Sequence, residues 1–150
     1  MPRPVLLLLL AALGLSACRP AQTAAAEPCP VSTPVTEAPP DDPNADPFGS
    51  GPWFANADRT LWAFWGAGWQ PGLNGNKVIW IRPAGAPLEV TGRRLDGESA
   101  PLRVDIPTGY GTGFQVTGVY VPAEGCWEVT ARAGESRLQF VVEVAPGAAR

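Results

Sequence analysis

The sequence predicts an all-β fold, an antiparallel immunoglobulin-like sandwich of about seven strands. Three observations favour it. From Leu61 onward the chain consists of short alternating or β-branched apolar runs, and turn residues separate these runs about every 8–12 residues. Glycine and proline are abundant, with 17 Gly and 18 Pro among 150 residues. A chain of this length is typical of a single small domain.

The predicted strands occupy, in chain order, residues 61–65, 77–82, 88–95, 101–106, 114–121, 126–132 and 137–144. Gly- and Pro-containing turns lie between them, and Asn74-Gly75 and Asp96-Gly97 favour tight hairpins. Apolar and polar residues alternate most regularly in the last strands, which gives each strand one core face. In 126–132 this alternation places Trp127 in the core and Cys126 on the outer face.

The first 18 residues indicate export. Arg3 precedes the apolar run 5–13, which is shorter than the roughly 20 residues that span a bilayer. Leu15-Ser16-Ala17-Cys18 follows and resembles the lipobox of bacterial lipoproteins. That resemblance implies that Cys18 receives a diacylglyceryl group and becomes the first mature residue, anchored on the extracytoplasmic face of a bacterial membrane. An ordinary secretory signal with an incidental cysteine is the alternative.

Four regions follow from this pattern: a signal peptide at 1–17, a Pro-, Ala- and acid-rich tether at 18–52, the sandwich at 53–146 and a short tail at 147–150. Within the tether, Asp42, Asn44 and Asp46 alternate as in the first half of a calcium loop. The glycine and the final glutamate that such a loop requires are replaced by Pro47 and Trp53, so we expect no metal site.

The cysteine count predicts one disulfide. If Cys18 is lipidated, Cys29 and Cys126 remain, and a pair of cysteines in an oxidising compartment favours a bond between them. Two free buried thiols are the alternative. Because Cys126 is expected on the outer face, the bond would pin the proline-rich segment along the outside of its sheet and would not bridge the sandwich.

Several motifs resemble those of an uncharacterised bacterial lipoprotein family with a C-terminal immunoglobulin-like domain. They are Cys29-Pro-Val-Ser, Gly92-Arg-Arg-Leu-Asp96, Gly109-Tyr-Gly-Thr-Gly-Phe-Gln115 and Gly125-Cys-Trp-Glu-Val-Thr130. The resemblance spans most of the mature chain. It implies the sandwich fold and the pairing of Cys29 with Cys126, and it implies no activity.

Aromatic residues crowd the start of the sandwich. Trp53, Trp62, Trp65 and Trp69 lie close together in the chain, with Phe54 and Phe64 between them. One interpretation places Trp62 and Phe64 in the core, with Trp53 or Trp69 capping a sheet edge. The other exposes Trp53 and Trp69 as a surface that stacks on sugar rings or on a partner's side chains.

Two further features are candidate contact sites. The loop Gly109-Tyr-Gly-Thr-Gly113 precedes a predicted strand, so it lacks the helix N-terminus that a phosphate loop requires; it fits a hairpin that presents Tyr110. Arg93 and Arg94 precede a turn, where we expect an ion pair with a carboxylate such as Glu89 or Asp105, or contact with an envelope anion.

Composition argues against catalysis and against nucleic acid. The chain has no histidine, which excludes histidine-dependent triads and zinc sites, and its net charge of −3 disfavours phosphate binding. Glu124 and Glu128 are the nearest carboxylate pair, but Glu124 is expected in a turn and Glu128 on an outer strand face, without the apolar surroundings that an acid catalyst requires. We therefore expect no enzyme activity and no cofactor.

The sequence thus predicts a monomeric, membrane-anchored module that binds an envelope protein or glycan or has a structural role. The alternative is an inhibitor of extracytoplasmic peptidases. Pro107-Thr-Gly-Tyr110 resembles the Pro-Thr-Thr-Gly-Tyr loop of cysteine-peptidase inhibitors of the chagasin type, which are also immunoglobulin-like. The second threonine and the Arg-Pro-Trp loop of those inhibitors are missing here.

Overall fold

The computed structural model describes residues 28–40, 51–65, 69–72 and 75–146. The predicted signal peptide, Cys18 and the Asp42–Asp46 stretch lie outside these residues. The described chain is all-β, with eight strands. They are β1 (Trp53–Ala55), β2 (Trp62–Phe64), β3 (Asn76–Ile81), β4 (Leu88–Arg94), β5 (Arg103–Asp105), β6 (Phe114–Tyr120), β7 (Gly125–Ala133) and β8 (Ser136–Val144).

Two antiparallel sheets form the sandwich. One has five strands in the order β1-β2-β3-β6-β5, and the other has three in the order β4-β7-β8. Without β1, the strands β2-β3-β6-β5 and β4-β7-β8 have the ABED and CFG order of an immunoglobulin constant domain. The predicted fold class is confirmed. All seven predicted strands are present within one or two residues of their expected bounds, and β1 is additional.

The core lies between the two sheets and follows the predicted alternation. Trp127, Val129 and Ala131 of β7 are buried there, opposite Val78 and Trp80 of β3. Gly92 of β4 also faces inward, because a Cβ at this position would lie 2.3 Å from Cδ1 of Leu102. The missing side chain therefore makes room for Leu102, which packs against the core.

A second apolar cluster covers the outer face of the five-stranded sheet. Trp62 and Phe64 share a face of β2, as the alternation predicts, but this face points away from the sandwich interior, and Ala63 between them belongs to the main core. Trp53 and Ile79 are buried in the same outer cluster. Trp62 is thus buried, as the core interpretation predicts, and Phe64 packs against the same cluster, but this cluster lies outside the sandwich interior. β2 is apolar on both faces because both faces are covered.

The N-terminal segment 28–35 is part of the sandwich. Cys29 and Cys126 form a disulfide across 97 residues of sequence. The Ser32 amide donates to the Val141 carbonyl and Ser32 Oγ accepts from the Val141 amide, so the segment pairs with the outer edge of β8. Val35 then pairs with Trp53 of β1. The segment closes the seam between the two sheets on this side.

This arrangement confirms the outward direction of Cys126 and corrects the tether. Cys126 lies opposite Glu143, whose side chain is exposed, whereas the adjacent Trp127 is buried in the core. Residues 28–40 fall within the predicted spacer, yet they contain the disulfide, two pairings with strands and a buried proline, Pro39. Part of the predicted tether is therefore packed against the sandwich.

Candidate binding surfaces

Trp53 is buried and forms no exposed stacking surface. Its exposed fraction is 0%, and its ring packs edge-on against Trp62 at 6.4 Å and tilted against Phe64 at 5.0 Å between centroids. The Arg59 guanidinium lies over the ring of Trp62, 5.3 Å from its centroid. The expected exposed patch at Trp53 is therefore replaced by a packed aromatic cluster.

Trp69 is also buried, with an exposed fraction of 3%. Its ring stacks on Trp65 at 3.6 Å, and its carbonyl accepts a hydrogen bond from the Ala145 amide just after β8. The pair of rings belongs to the main core. Trp69 thus closes one end of the sandwich, which agrees with the capping interpretation and removes it from the exposed candidates.

Arg93 and Arg94 form ion pairs, but with partners other than those expected. Arg93 Nε lies 2.8 Å from Glu128 Oε1, and Arg94 Nε lies 2.6 Å from Asp96 Oδ1. The β4–β7 register explains the first pair, because Arg93 is directly opposite Glu128 on the outer face. Neither Glu89 nor Asp105 is the partner. Both arginines have structural roles in this arrangement.

The Arg94–Asp96 pair closes the β4 turn onto the disulfide. Asp96 Oδ2 accepts from the Cys126 amide at 3.1 Å, and the Leu95 amide donates to the Cys126 carbonyl. The hydrogen bond from Arg94, followed by that from the Cys126 amide, lowers the pKa of the Asp96 carboxyl, although partial burial opposes them. Gly125 leaves the space for this contact, since a Cβ there would lie 2.6 Å from Asp96 Oδ2.

Tyr110 is half-buried in the β5–β6 loop, with its ring 5.9 Å from that of Phe114. Its backbone is held by Arg82, a residue that sequence reasoning missed. Arg82 is 7% exposed, yet its guanidinium donates to the carbonyls of Tyr110 and Ala86 and to Gln115 Oε1. Gln115 in turn donates to the Pro107 carbonyl.

This buried arginine ties two loops together at one end of the sandwich. The loops are 82–87 and 106–113, and the β7–β8 turn at Gly134 approaches Ala86 at the same end. A fork of donors suits several carbonyl acceptors at once, which an ammonium group could not match. The only feature of the sequence that could have indicated this role of Arg82 is its position as a cation directly after the apolar strand β3. The loop with Tyr110 is therefore fixed in position while Pro107, Thr108 and Gly109 stay exposed.

The opposite end carries a second feature that the sequence did not indicate. The guanidinium of Arg103 on β5 lies 3.5 Å from the ring centroid of Tyr120 on β6. Beside them is a cavity of about 240 Å³ lined by Gly72, Pro101, Arg103, Tyr120, Val121 and Pro122.

No three acidic or cysteine side chains among the described residues are grouped as metal ligands. Glu128, considered above as half of a carboxylate pair with Glu124, is held instead by Arg93 and by the Gln139 amide. Among helices in the described ranges, none is long and apolar enough to cross a membrane.

The strand order places this chain in the class of small immunoglobulin-like β-sandwiches. Comparison with family models, with curated proteins and with solved structures finds no match to it. The resemblance to an uncharacterised lipoprotein family therefore stays a prediction. What the chain does has to be argued from its own residues.

Proposed function

We propose that this protein is a membrane-anchored extracytoplasmic lipoprotein whose β-sandwich is a non-catalytic binding or structural module of the cell envelope. One observation supports this most strongly. The bond between Cys29 and Cys126 uses two of the three cysteines, and the one left over is Cys18, directly after Leu15-Ser16-Ala17. A disulfide is typical of chains exported to an oxidising compartment.

The pinned segment sets how far the sandwich stands from its anchor. Between Cys18 and Cys29 the chain can extend to roughly 35–40 Å, at about 3.3–3.6 Å per residue. A flexible chain of that length averages roughly 20 Å between its ends. The anchor would thus hold the domain close to the lipid, and the end of β7 that bears Cys126 would be the nearer one. The loops held by Arg82 are at the far end and would face away from the membrane.

Charge keeps the domain from lying on the bilayer. The mature chain from Cys18 onward has lost Arg3, which leaves ten cations against 14 anions, a net charge of −4. An acidic domain is repelled by an anionic leaflet, so the acyl chains would provide the attachment. Two or more chains give stable anchoring, because each buried methylene contributes about 0.8 kcal/mol.

Metabolic labelling tests the anchor. The full-length chain would be produced in a bacterium supplied with an alkyne-bearing fatty acid, and the purified protein would be tagged through the alkyne. We expect label on the parent and none on Cys18→Ala. Cys29→Ser is the matched control and should keep the label, since it removes a cysteine without touching the lipobox. An unlabelled parent, or equal label on Cys18→Ala, would contradict the proposal.

A further inference from the structure

The cavity beside Arg103 is formed in part by the ring of Tyr120, which occupies space left by two glycines. Tyr120 has its ring against Gly75 and Gly118, where a Cβ would lie 2.8 and 3.2 Å from ring carbons. Gly75 also has a φ of +62°, a conformation that favours glycine. Two residues without side chains therefore leave the space that the ring fills.

The backbone next to the cavity is held by hydrogen bonds. Asn76 is buried, and its side-chain amide bonds both the amide and the carbonyl of Gln70 and also donates to the Val119 carbonyl. Farther along, Pro71 pairs with Val121, and the amide of Gly72, which lines the cavity, donates to the Val121 carbonyl at 3.2 Å. The Gly72 side of the cavity is thus held in place against Val121.

Arg103 differs from four of the other described arginines, although Arg132 and Arg137 also have no carboxylate partner among the described residues. Arg59, Arg93 and Arg94 each pair with a carboxylate, and Arg82 is surrounded by carbonyls. Arg103 is exposed, and among the described residues it has no carboxylate within ion-pair distance. Stacking on Tyr120 holds the plane of its guanidinium while its N–H edges remain available to a ligand.

The size and composition of the cavity select the ligand. At about 240 Å³ it is below the roughly 300–1,000 Å³ of sites for drug-sized molecules, so it suits one side chain. Two prolines, a valine and the tyrosine ring make most of the lining apolar. The planar fork of an arginine matches a carboxylate, with two parallel hydrogen bonds.

We propose that this pocket binds the carboxyl terminus of a peptide, with the last side chain, an apolar one, in the cavity and the terminal carboxylate on Arg103. Capture of a chain terminus beside the edge of a sheet is a recurring mode of peptide recognition. The pocket lies at β5, the outermost strand of the five-stranded sheet. This inference deepens the proposed function, since it names a ligand class for the sandwich as a binding module.

Asp105 gives an internal test of the electrostatics. It is two residues from Arg103 on the same face of β5 and is exposed. A carboxylate at that distance competes with an incoming anion for the field of the guanidinium. Asp105→Asn should therefore strengthen binding of a carboxylate ligand and leave binding of an uncharged ligand unchanged.

The experiment uses the mature full-length chain in detergent, labelled with ¹⁵N, and two probes. One is acetyl-Gly-Gly-Leu with a free carboxylate, and the other is the same peptide as its C-terminal amide. We expect the acid to shift the amide resonances of Gly72, Arg103 and Tyr120 in a saturable way and to bind at least roughly tenfold more tightly than the amide. Arg103→Met should remove that preference, and Arg103→Lys should restore part of it.

Three results would overturn the inference. They are equal binding of acid and amide, no shift of these resonances by either peptide, or a shift by inorganic phosphate with none by the peptide acid. The last result would assign the pocket to a phosphate group, as on a lipid headgroup. None of them bears on Cys18, because fatty-acid labelling tests the anchor without reference to the pocket.

Discussion

Loss of the Cys29–Cys126 bond should destabilise the sandwich by about 2–4 kcal/mol. The two cysteines are 97 residues apart, and the loop-entropy model assigns about 4.7 kcal/mol to a closed loop of this length. We place the expected value below that figure because the segment bearing Cys29 can detach on its own once the bond is gone. Its remaining ties are the backbone pairings of Ser32 and Val35 and an exposed ion pair between Glu37 and Arg59.

The assay is unfolding in guanidinium chloride, followed by tryptophan fluorescence. Trp127 and Trp80 are fully buried, so their emission reports loss of the core. Cys29→Ser is the variant of choice, because Cys29 is only partly buried and its replacement leaves the packed Cys126 in place. Cys18→Ser, made in the otherwise unchanged parent chain, is the matched control.

The disulfide can be removed in two ways, by reduction or by substitution, and agreement between the two makes the measurement decisive. The parent treated with reductant and the Cys29→Ser variant should lose similar free energy, whereas Cys18→Ser should match the parent. A free energy of unfolding for Cys29→Ser within about 0.5 kcal/mol of that of the parent, under oxidising conditions, would contradict the expected loss. That result would mean that the segment 28–35 stabilises the sandwich without its covalent tie.

Two further predictions concern single side chains. Gly92→Ala should cost about 1–3 kcal/mol, because the added methyl overlaps Leu102 in a packed core; Gly111→Ala, where a Cβ meets nothing within 4 Å, should be nearly neutral in the same unfolding assay. Asp96→Asn should lower stability at pH 7, because Arg94 holds the pKa of the Asp96 carboxyl below its usual 3.8 in the folded state. That difference should be complete above pH 3.8 and should shrink as the pH falls through the lowered pKa, and a difference in stability that does not shrink below pH 3.8 would contradict it.

The later strands could be predicted because each has one buried and one solvated face. In β8 the buried residues Leu138, Phe140 and Val142 recur at every second position, and the polar Gln139 and Glu143 at the positions between them indicate which side faces the core. The same rule, applied to β7, correctly places Cys126 on the outer face. For a strand of this kind, the local sequence alone predicts which face is buried.

The first strands resisted the same rule because both of their faces are covered. In β2 every residue is apolar, so the alternation states that Trp62 and Phe64 share a face but does not state which face. The strand β1 has only three residues, and two of them are large aromatics whose side chains point to opposite faces of the sheet. Neither its existence nor the burial of Trp53 follows from its local pattern.

The remaining differences come from contacts between distant parts of the chain. A proline-rich composition indicates a spacer, yet Ser32 pairs with Val141 more than 100 residues away. The interpretation of Trp69 as exposed was wrong for a similar reason, since its backbone pairs with Val144 and Ala145, which are distant in the sequence. Arg103 and Tyr120 become neighbours only through the β5–β6 register.

The three cysteines are proposed to have two different fates, which intact-protein mass spectrometry distinguishes. Protein would be extracted from membranes and alkylated with and without prior reduction. We expect a chain that begins at Cys18 with a diacylglyceryl-sized mass increase and that takes up two alkyl groups only after reduction. A mass that includes residues 1–17, or an unmodified Cys18 that is alkylated without reductant, would contradict this assignment.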